Sequence, residues 1–156
     1  MPEVKPSEFP HLIDTLRYFV ATRRFGVVDR LGFAQSADAV REAIYEAIRT
    51  VRAAKYAAER VKLRVKDKEF EVTCLELEKV EDGSCTDLEG VLVEGKPELK
   101  GARVCCIRDV MLPSEEELEK LFEILREDPE KGVSLAKEIA ALAFSFPKKK
   151  DVKSGQ

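Results

Sequence analysis

Asparagine is missing from this chain, glutamine occurs only at Gln35 and Gln156, and the one histidine is His11. Acid–base or nucleophilic catalysis draws on at least two convergent polar groups of the right kind. With one histidine, any Ser-His or Cys-His pair must pass through His11, beside Pro10 at a predicted helix start, where a surface histidine is the ordinary outcome. An enzyme is therefore not expected. Gly-x-Gly-x-x-Gly and Gly-x-x-x-x-Gly-Lys are both absent, so neither a dinucleotide nor a nucleotide phosphate cradle is signalled. No run approaches the roughly 18 apolar residues of a membrane span. The start Met1-Pro2-Glu3-Val4-Lys5-Pro6 also lacks the apolar core of a signal peptide. A cytoplasmic chain without membrane contact is the expectation.

Cys74, Cys85, Cys105 and Cys106 contain no Cys-x-x-Cys, and adjacent residues of a strand point to opposite faces, which disfavours a zinc site. No metal and no cofactor are expected. Buried cysteines behaving as small hydrophobes are one outcome. A disulfide from Cys74 to Cys105 or Cys106 is the other, because thermophile interiors are an exception to the rule of reduced thiols.

Charge is what the chain has in excess, with 37% Asp, Glu, Lys and Arg against about 25% in ordinary soluble domains. Together with the scarcity of amides, this is the pattern of proteins selected at high temperature. The net charge of −3 conceals a division along the chain. Residues 17–66 carry twelve Lys or Arg against five Asp or Glu, whereas residues 67–135 carry nine against twenty. A basic half suits polyanions, and an acidic half keeps the protein in solution or docks a basic partner.

Leu12, Ile13, Leu16, Phe19 and Val20 recur at helical spacing and predict a helix over residues 10–24, with Arg23 and Arg24 in its last turn and Gly26 as its stop. Phe25 to Ala34 reads as a helical turn or two. Ser36 or Asp38 then caps a longer helix reaching about Arg60, its buried stripe formed by Val40, Ile44, Ala47, Ile48, Val51 and Ala54. From Val61 the period becomes two, giving a hairpin of Val61–Val65 with Phe70–Val80 across Asp67-Lys68. A short Val91–Val93 strand and a last one within Ala102–Met111 follow. Ser114-x-x-Glu117 is a capping box opening a third long helix, a sufficient cause for the acidic run Glu115–Glu119, and Asp128-Pro129 opens a fourth. The expected fold is mainly α with a β insertion, an α+β arrangement. Two N-terminal and two C-terminal helices (residues 8–60 and 112–146) form a helical domain, interrupted by a small antiparallel sheet (61–111) and followed by a disordered basic tail (147–156).

On the second long helix Arg41, Tyr45, Arg49, Arg52, Lys55 and Tyr56 fall within one arc about 120° from the apolar stripe. Guanidinium forks bind phosphate oxygens and interleaved tyrosines stack on bases, so this face, with Arg23 and Arg24 upstream, is a candidate nucleic-acid surface. Its binding would be independent of base sequence and sensitive to salt. The same residues also fit a solvated face laced with intrahelical pairs such as Arg41, Glu42, Glu46 and Arg49.

The segment Phe25-Gly26-Val27-Val28-Asp29-Arg30-Leu31-Gly32-Phe33-Ala34, the β insertion and the helix start Leu112-Pro113-Ser114-Glu115-Glu116-Glu117-Leu118 resemble the small subunit of the archaeal type I-A CRISPR interference complex, Cascade. The resemblance covers roughly residues 10–60 and 112–146. It implies a helical domain with a variable β-rich insertion and no enzymatic role. It further implies packing along the backbone subunits that hold the guide RNA, and help in accommodating target DNA as the R-loop forms. The alternative left open is a protein-interaction module with no direct contact to nucleic acid.

Overall fold

A computed structural model describes residues 3–65, 68–80, 90–93 and 103–145. The fold is α+β: a helical unit (residues 1–53 and 110–145) and a β unit (residues 54–109, with 146–156). The partition falls several residues before the end of the long helix and just before Val110. The tail expected at 147–156 and the turn at Asp67 lie outside the described residues.

In the helical unit a 3₁₀ turn, Pro6–Glu8, leads into α1 (Pro10–Ala21), α2 (Gly26–Gly32) and α3 (Ala37–Tyr56). After the β unit come α4 (Glu115–Glu127) and α5 (Pro129–Ala143). Helix α5 packs against α1, α2, α4 and the 3₁₀ turn. Its inward face allows this because Gly132, Ala136, Ala140 and Ala143 are small and buried. A Cβ at Gly132 would lie 2.7 Å from Leu125 Cδ2 and 2.8 Å from Leu125 Cα, so α4 and α5 meet there nearly backbone to backbone. Asp128 alone turns one helix into the other: its N–H donates to the Ile124 carbonyl at 2.8 Å and its side chain accepts from the Lys131 N–H at 3.3 Å, with Pro129 at the first position of α5. Phe9, Leu12, Leu16, Leu31, Ile44, Leu121, Leu125 and Ile139 are almost wholly buried.

Two helix boundaries differ from the sequence expectation. Helix α1 stops at Ala21, so Arg23 and Arg24 lie beyond it and no cation occupies its last turn. Its end is closed by Arg23 in the left-handed region (φ 59°). The Arg23 N–H donates to Val20 at 3.1 Å and the Arg24 N–H to Phe19 at 2.8 Å. This is a Schellman closure with arginine where glycine is usual, and Gly26, expected as the stop, opens α2 instead. Helix α3 ends at Tyr56 rather than Arg60, because Glu59 already pairs with Cys74 as the first residue of a strand. At its start Ser36 is the cap, its Oγ accepting from the Ala39 N–H at 3.1 Å.

The β unit holds β1 (Glu59–Val65), β2 (Lys68–Val80), β3 (Gly90–Val93) and β4 (Arg103–Arg108). Among the described residues these form one antiparallel sheet in the order β1-β2-β4-β3. The register shifts between Cys74 and Glu76, which pair with Arg108 and Ile107, so β2 carries an extra residue there. Cys74, Leu75 and Ile107 are buried. Among the described residues no helix is long and apolar enough to cross a membrane.

Candidate nucleic-acid interface

Helix α3 is amphipathic because Val40, Ala43, Ile44, Ala47, Ile48 and Val51 recur at spacings of three and four and are buried together. That fixes the opposite side outward. Arg49 and Arg52 are exposed one turn apart. Among the described residues neither has a carboxylate within ion-pairing distance. Tyr45 precedes Arg49 by four residues and is 46% exposed. Its ring lies 5.4 Å from that of Phe122 on α4, tilted by 53°.

The remaining cations of the predicted arc are already committed. Arg41 Nη2 lies 2.6 Å from Asp38 Oδ1 on the same helix. Lys55, in the β unit, pairs with Asp109 at 2.7 Å. Tyr56 is 93% exposed and also belongs to the β unit. Arg24 Nη1 lies 3.4 Å from the Tyr18 hydroxyl, and both Arg23 and Arg24, in the turn between α1 and α2, have further interactions of their own. The arc is therefore narrower than helical geometry alone suggests, with Tyr45, Arg49 and Arg52 as its available members in the helical unit.

A groove of about 630 Å³ runs beside this face between α2 and α3. Phe33, Ala39, Ala43 and Tyr45 supply its apolar lining, and Arg30, Glu42, Glu46 and Arg49 its charges. Arg30 bridges to Glu46 at 2.6 Å. This hydrogen bond holds the Glu46 carboxyl below its ordinary value, with the charges of Arg30 and then Arg49 adding to the effect, and it raises Arg30 correspondingly. The pair links residues sixteen apart, and nothing in local spacing signals it. Phe33, 79% exposed, was equally unmarked.

His11 and Glu117 show a second arrangement that local sequence hides. Ser114 Oγ accepts from the Glu117 N–H at 3.1 Å, as half of a capping box requires. The Glu117 carboxylate does not turn back toward Ser114. It is 7% exposed and accepts the backbone N–H groups of His11 (3.1 Å) and Leu12 (2.9 Å), with His11 Nδ1 at 3.5 Å. Helix α1, whose own cap position is Phe9 and offers no side-chain acceptor, is thus capped by a residue of α4. Nearby, Asp14 Oδ2 accepts the Met111 N–H at 2.7 Å and the Thr15 hydroxyl contacts the Met111 carbonyl, fastening the returning chain to α1.

Cys74 is disulfide-bonded. Cys105 and Cys106 stand opposite Glu78 and Leu77 in the strand register, but their side chains, like Cys85, lie outside what the structure describes. Among the described residues no group of three His, Cys, Asp or Glu is arranged to hold a metal ion.

The family model described as CRISPR-associated protein (Cas_Csa5) matches residues 15–146. The chain belongs to this CRISPR-associated family. The match runs from within α1 to just past α5, so the Csa5 pattern includes the β unit as well as the helical segments on which the likeness to the type I-A small subunit was first drawn. A comparison with curated proteins finds no match. Tyr45, Arg49 and Arg52 lie inside the region that defines this Csa5-family chain.

Proposed function

We propose that this chain is a non-catalytic small subunit of an RNA-guided Cascade complex, and that Arg49 and Arg52 neutralise phosphates of a nucleic-acid strand while Tyr45 offers a stacking surface. The observation that carries this is the pair of exposed guanidinium groups, one turn apart and outside ion-pairing distance of any described carboxylate. The other cations of the predicted arc are tied up. Membership of a CRISPR-associated family supports the setting proposed, an assembly in which guide RNA pairs with target DNA. The partners in that setting are the other Cascade subunits, above all the backbone subunit. In such complexes base pairing reads the sequence, and the protein needs positive charge along a backbone. The non-catalytic part is supported by His11, the one histidine, whose backbone and ring both face Glu117 in a helix-end fastening.

Two measurements test it. Arg49→Ala with Arg52→Ala should weaken binding of the assembled complex to its target DNA. For the isolated chain on single-stranded DNA, the slope of log affinity against log salt should fall by about 1.4, two phosphate contacts at roughly 0.7 each. Unchanged affinity and slope remove this face from the account and leave the chain as a protein-interaction module within the complex.

A further inference from the structure

The outer face of α4 carries glutamates in a pattern that the helix itself does not explain. Glu115, Glu119 and Glu123 follow one another at intervals of four, are all exposed, and line one groove of about 510 Å³ with Tyr45, Leu118, Phe122 and Arg126. Glu115 sits in the first turn, where a negative charge complements the helix dipole. Glu119 and Glu123 lie beyond the reach of that effect. Like charges four residues apart repel and destabilise a helix, and this face holds two such pairs in succession.

Some acidic side chains of the helical unit are matched: Glu8 with Lys120, Glu46 with Arg30 and Asp38 with Arg41. Among the described residues Glu115, Glu119 and Glu123 have no ion-pair partner. Lys120, next to Glu119 in sequence, is directed instead to Glu8 at 3.3 Å and over the Phe9 ring at 5.6 Å. Beside the carboxylates, Tyr45 is 46% exposed, and Leu118 and Phe122 are half-buried. The groove thus combines an apolar floor with an acidic edge of about 12 Å, at 1.5 Å per residue.

We infer that this α3–α4 groove is the docking site for a basic amphipathic segment of a partner protein. Its lysines or arginines would lie along Glu115, Glu119 and Glu123, and its apolar residues would cover Tyr45, Leu118 and Phe122. Charge complementarity selects this occupant. The three carboxylates outnumber Arg126 in the lining, so the groove repels a nucleic-acid strand, and an acidic segment equally so. A helical segment matches the edge when its cations recur every four residues, because both helices then present charge at the same pitch. The inference stands apart from the arginine face and does not depend on it.

The test uses the full chain and a fluorescein-labelled helical peptide with lysines at every fourth position flanked by leucines. A second peptide of identical composition, with its lysines spread around the helix, is the control. Anisotropy should show the ordered peptide binding at least tenfold more tightly than the control. Glu119→Lys with Glu123→Lys should abolish that preference and transfer it to the matching glutamate-bearing peptide. The thermal midpoint should change little, since the substitutions convert the repulsion between positions 115 and 119 to an attraction and leave a like-charge pair at 119 and 123. If the reversed chain misfolds, Glu119→Gln with Glu123→Gln should still lower the affinity severalfold. Single-stranded DNA affinity should not fall in the reversed chain. Equal binding of the two peptides, binding indifferent to the reversal, or self-association of the wild-type chain through Glu119 and Glu123 in sedimentation would each overturn the assignment.

Discussion

Replacing Glu117 by alanine should cost more stability than deletion of any exposed charge on α4, although its neighbours in sequence are the same residue type. The carboxylate accepts two N–H groups from the first turn of α1, at 3.1 and 2.9 Å. One of these belongs to Leu12, which is 1% exposed, so water cannot easily replace the lost acceptor. Hydrogen bonds to a charged group contribute about 1.5–3 kcal/mol, and a buried donor left unsatisfied costs about 1–3 kcal/mol. Release of a largely buried carboxylate to solvent offsets part of this. The expected net loss is about 3 kcal/mol. For a chain of this length that lowers the thermal midpoint by roughly 6–12 °C, at about 2–4 °C per kcal/mol. The cap on α4 itself survives, because Ser114 Oγ binds the backbone N–H of residue 117 and not its side chain. Glu117→Gln keeps one acceptor but turns an N–H₂ toward the other donor and removes the charge, for a loss of about half as much. The assay is urea unfolding followed by far-ultraviolet circular dichroism, with Glu116→Ala as the exposed control. A Glu117→Ala midpoint matching that of the control would refute the cross-helix cap.

Gly132→Ala should destabilise by about 1–3 kcal/mol through overpacking, despite the gain in helix propensity of up to about 1 kcal/mol. The new methyl meets Leu125 at its Cα, which cannot move like a flexible chain end. Denaturant titration checks the sign. Arg23→Gly should stabilise by about 0.5–1 kcal/mol, since glycine adopts the left-handed conformation at Arg23 without steric cost; a lower thermal midpoint would mean that the arginine side chain's own contacts outweigh the backbone gain. The Arg30 bridge gives a pH signature. The folded-state carboxyl of Glu46 lies below its ordinary value of 4.5, so the native chain binds fewer protons there than the unfolded chain. The bridge is then fully stabilising above that value and is lost as pH falls through the depressed one. For so exposed a pair the contribution is about 0.2–1 kcal/mol. Glu46→Gln should flatten the dependence of thermal midpoint on pH below 4.5, and an unchanged profile would count against the bridge.

Local signals were legible where one residue suffices to cause them. Ser114 and Asp128 cap the helices that the sequence assigns to them, Ser36 rather than Asp38 caps α3, and alternation placed β1 and β2 with errors at Glu59 and at Lys68, which opens β2 instead of turning. The end of α1 was not legible, because Gly26 looks like a better stop than Arg23. The stop depends on which residue the following helix leaves in the left-handed position. Glu117 shows the same limit more sharply. Its spacing from Ser114 fits a capping box, yet its carboxylate serves donors more than a hundred residues away in the chain. Angular placement on α3 correctly set Arg49 and Arg52 outward. It could not see that Asp38 and Asp109 would occupy Arg41 and Lys55.

Tyr45 is where the two charged surfaces of the helical unit adjoin, since its side chain lines both the groove beside Arg49 and the groove beside Glu119. Its contact with Phe122 holds α3 against α4 at that point. A truncation of Tyr45 would therefore weaken phosphate binding, segment docking and helix packing together, and would distinguish none of them. Charge substitutions separate the surfaces because their signs are opposite: loss of Arg49 and Arg52 acts on a polyanion, and loss of Glu119 and Glu123 on a polycation. The segregation of charge along the chain has a spatial counterpart here. The basic residues come from α3, before the β insertion, and the acidic ones from α4, after it. A positive face and a negative groove therefore meet at one shared aromatic residue, so a strand stacked on Tyr45 and a segment covering it would compete for that ring while their charge contacts, on Arg49 and Arg52 and on Glu119 and Glu123, stay separate.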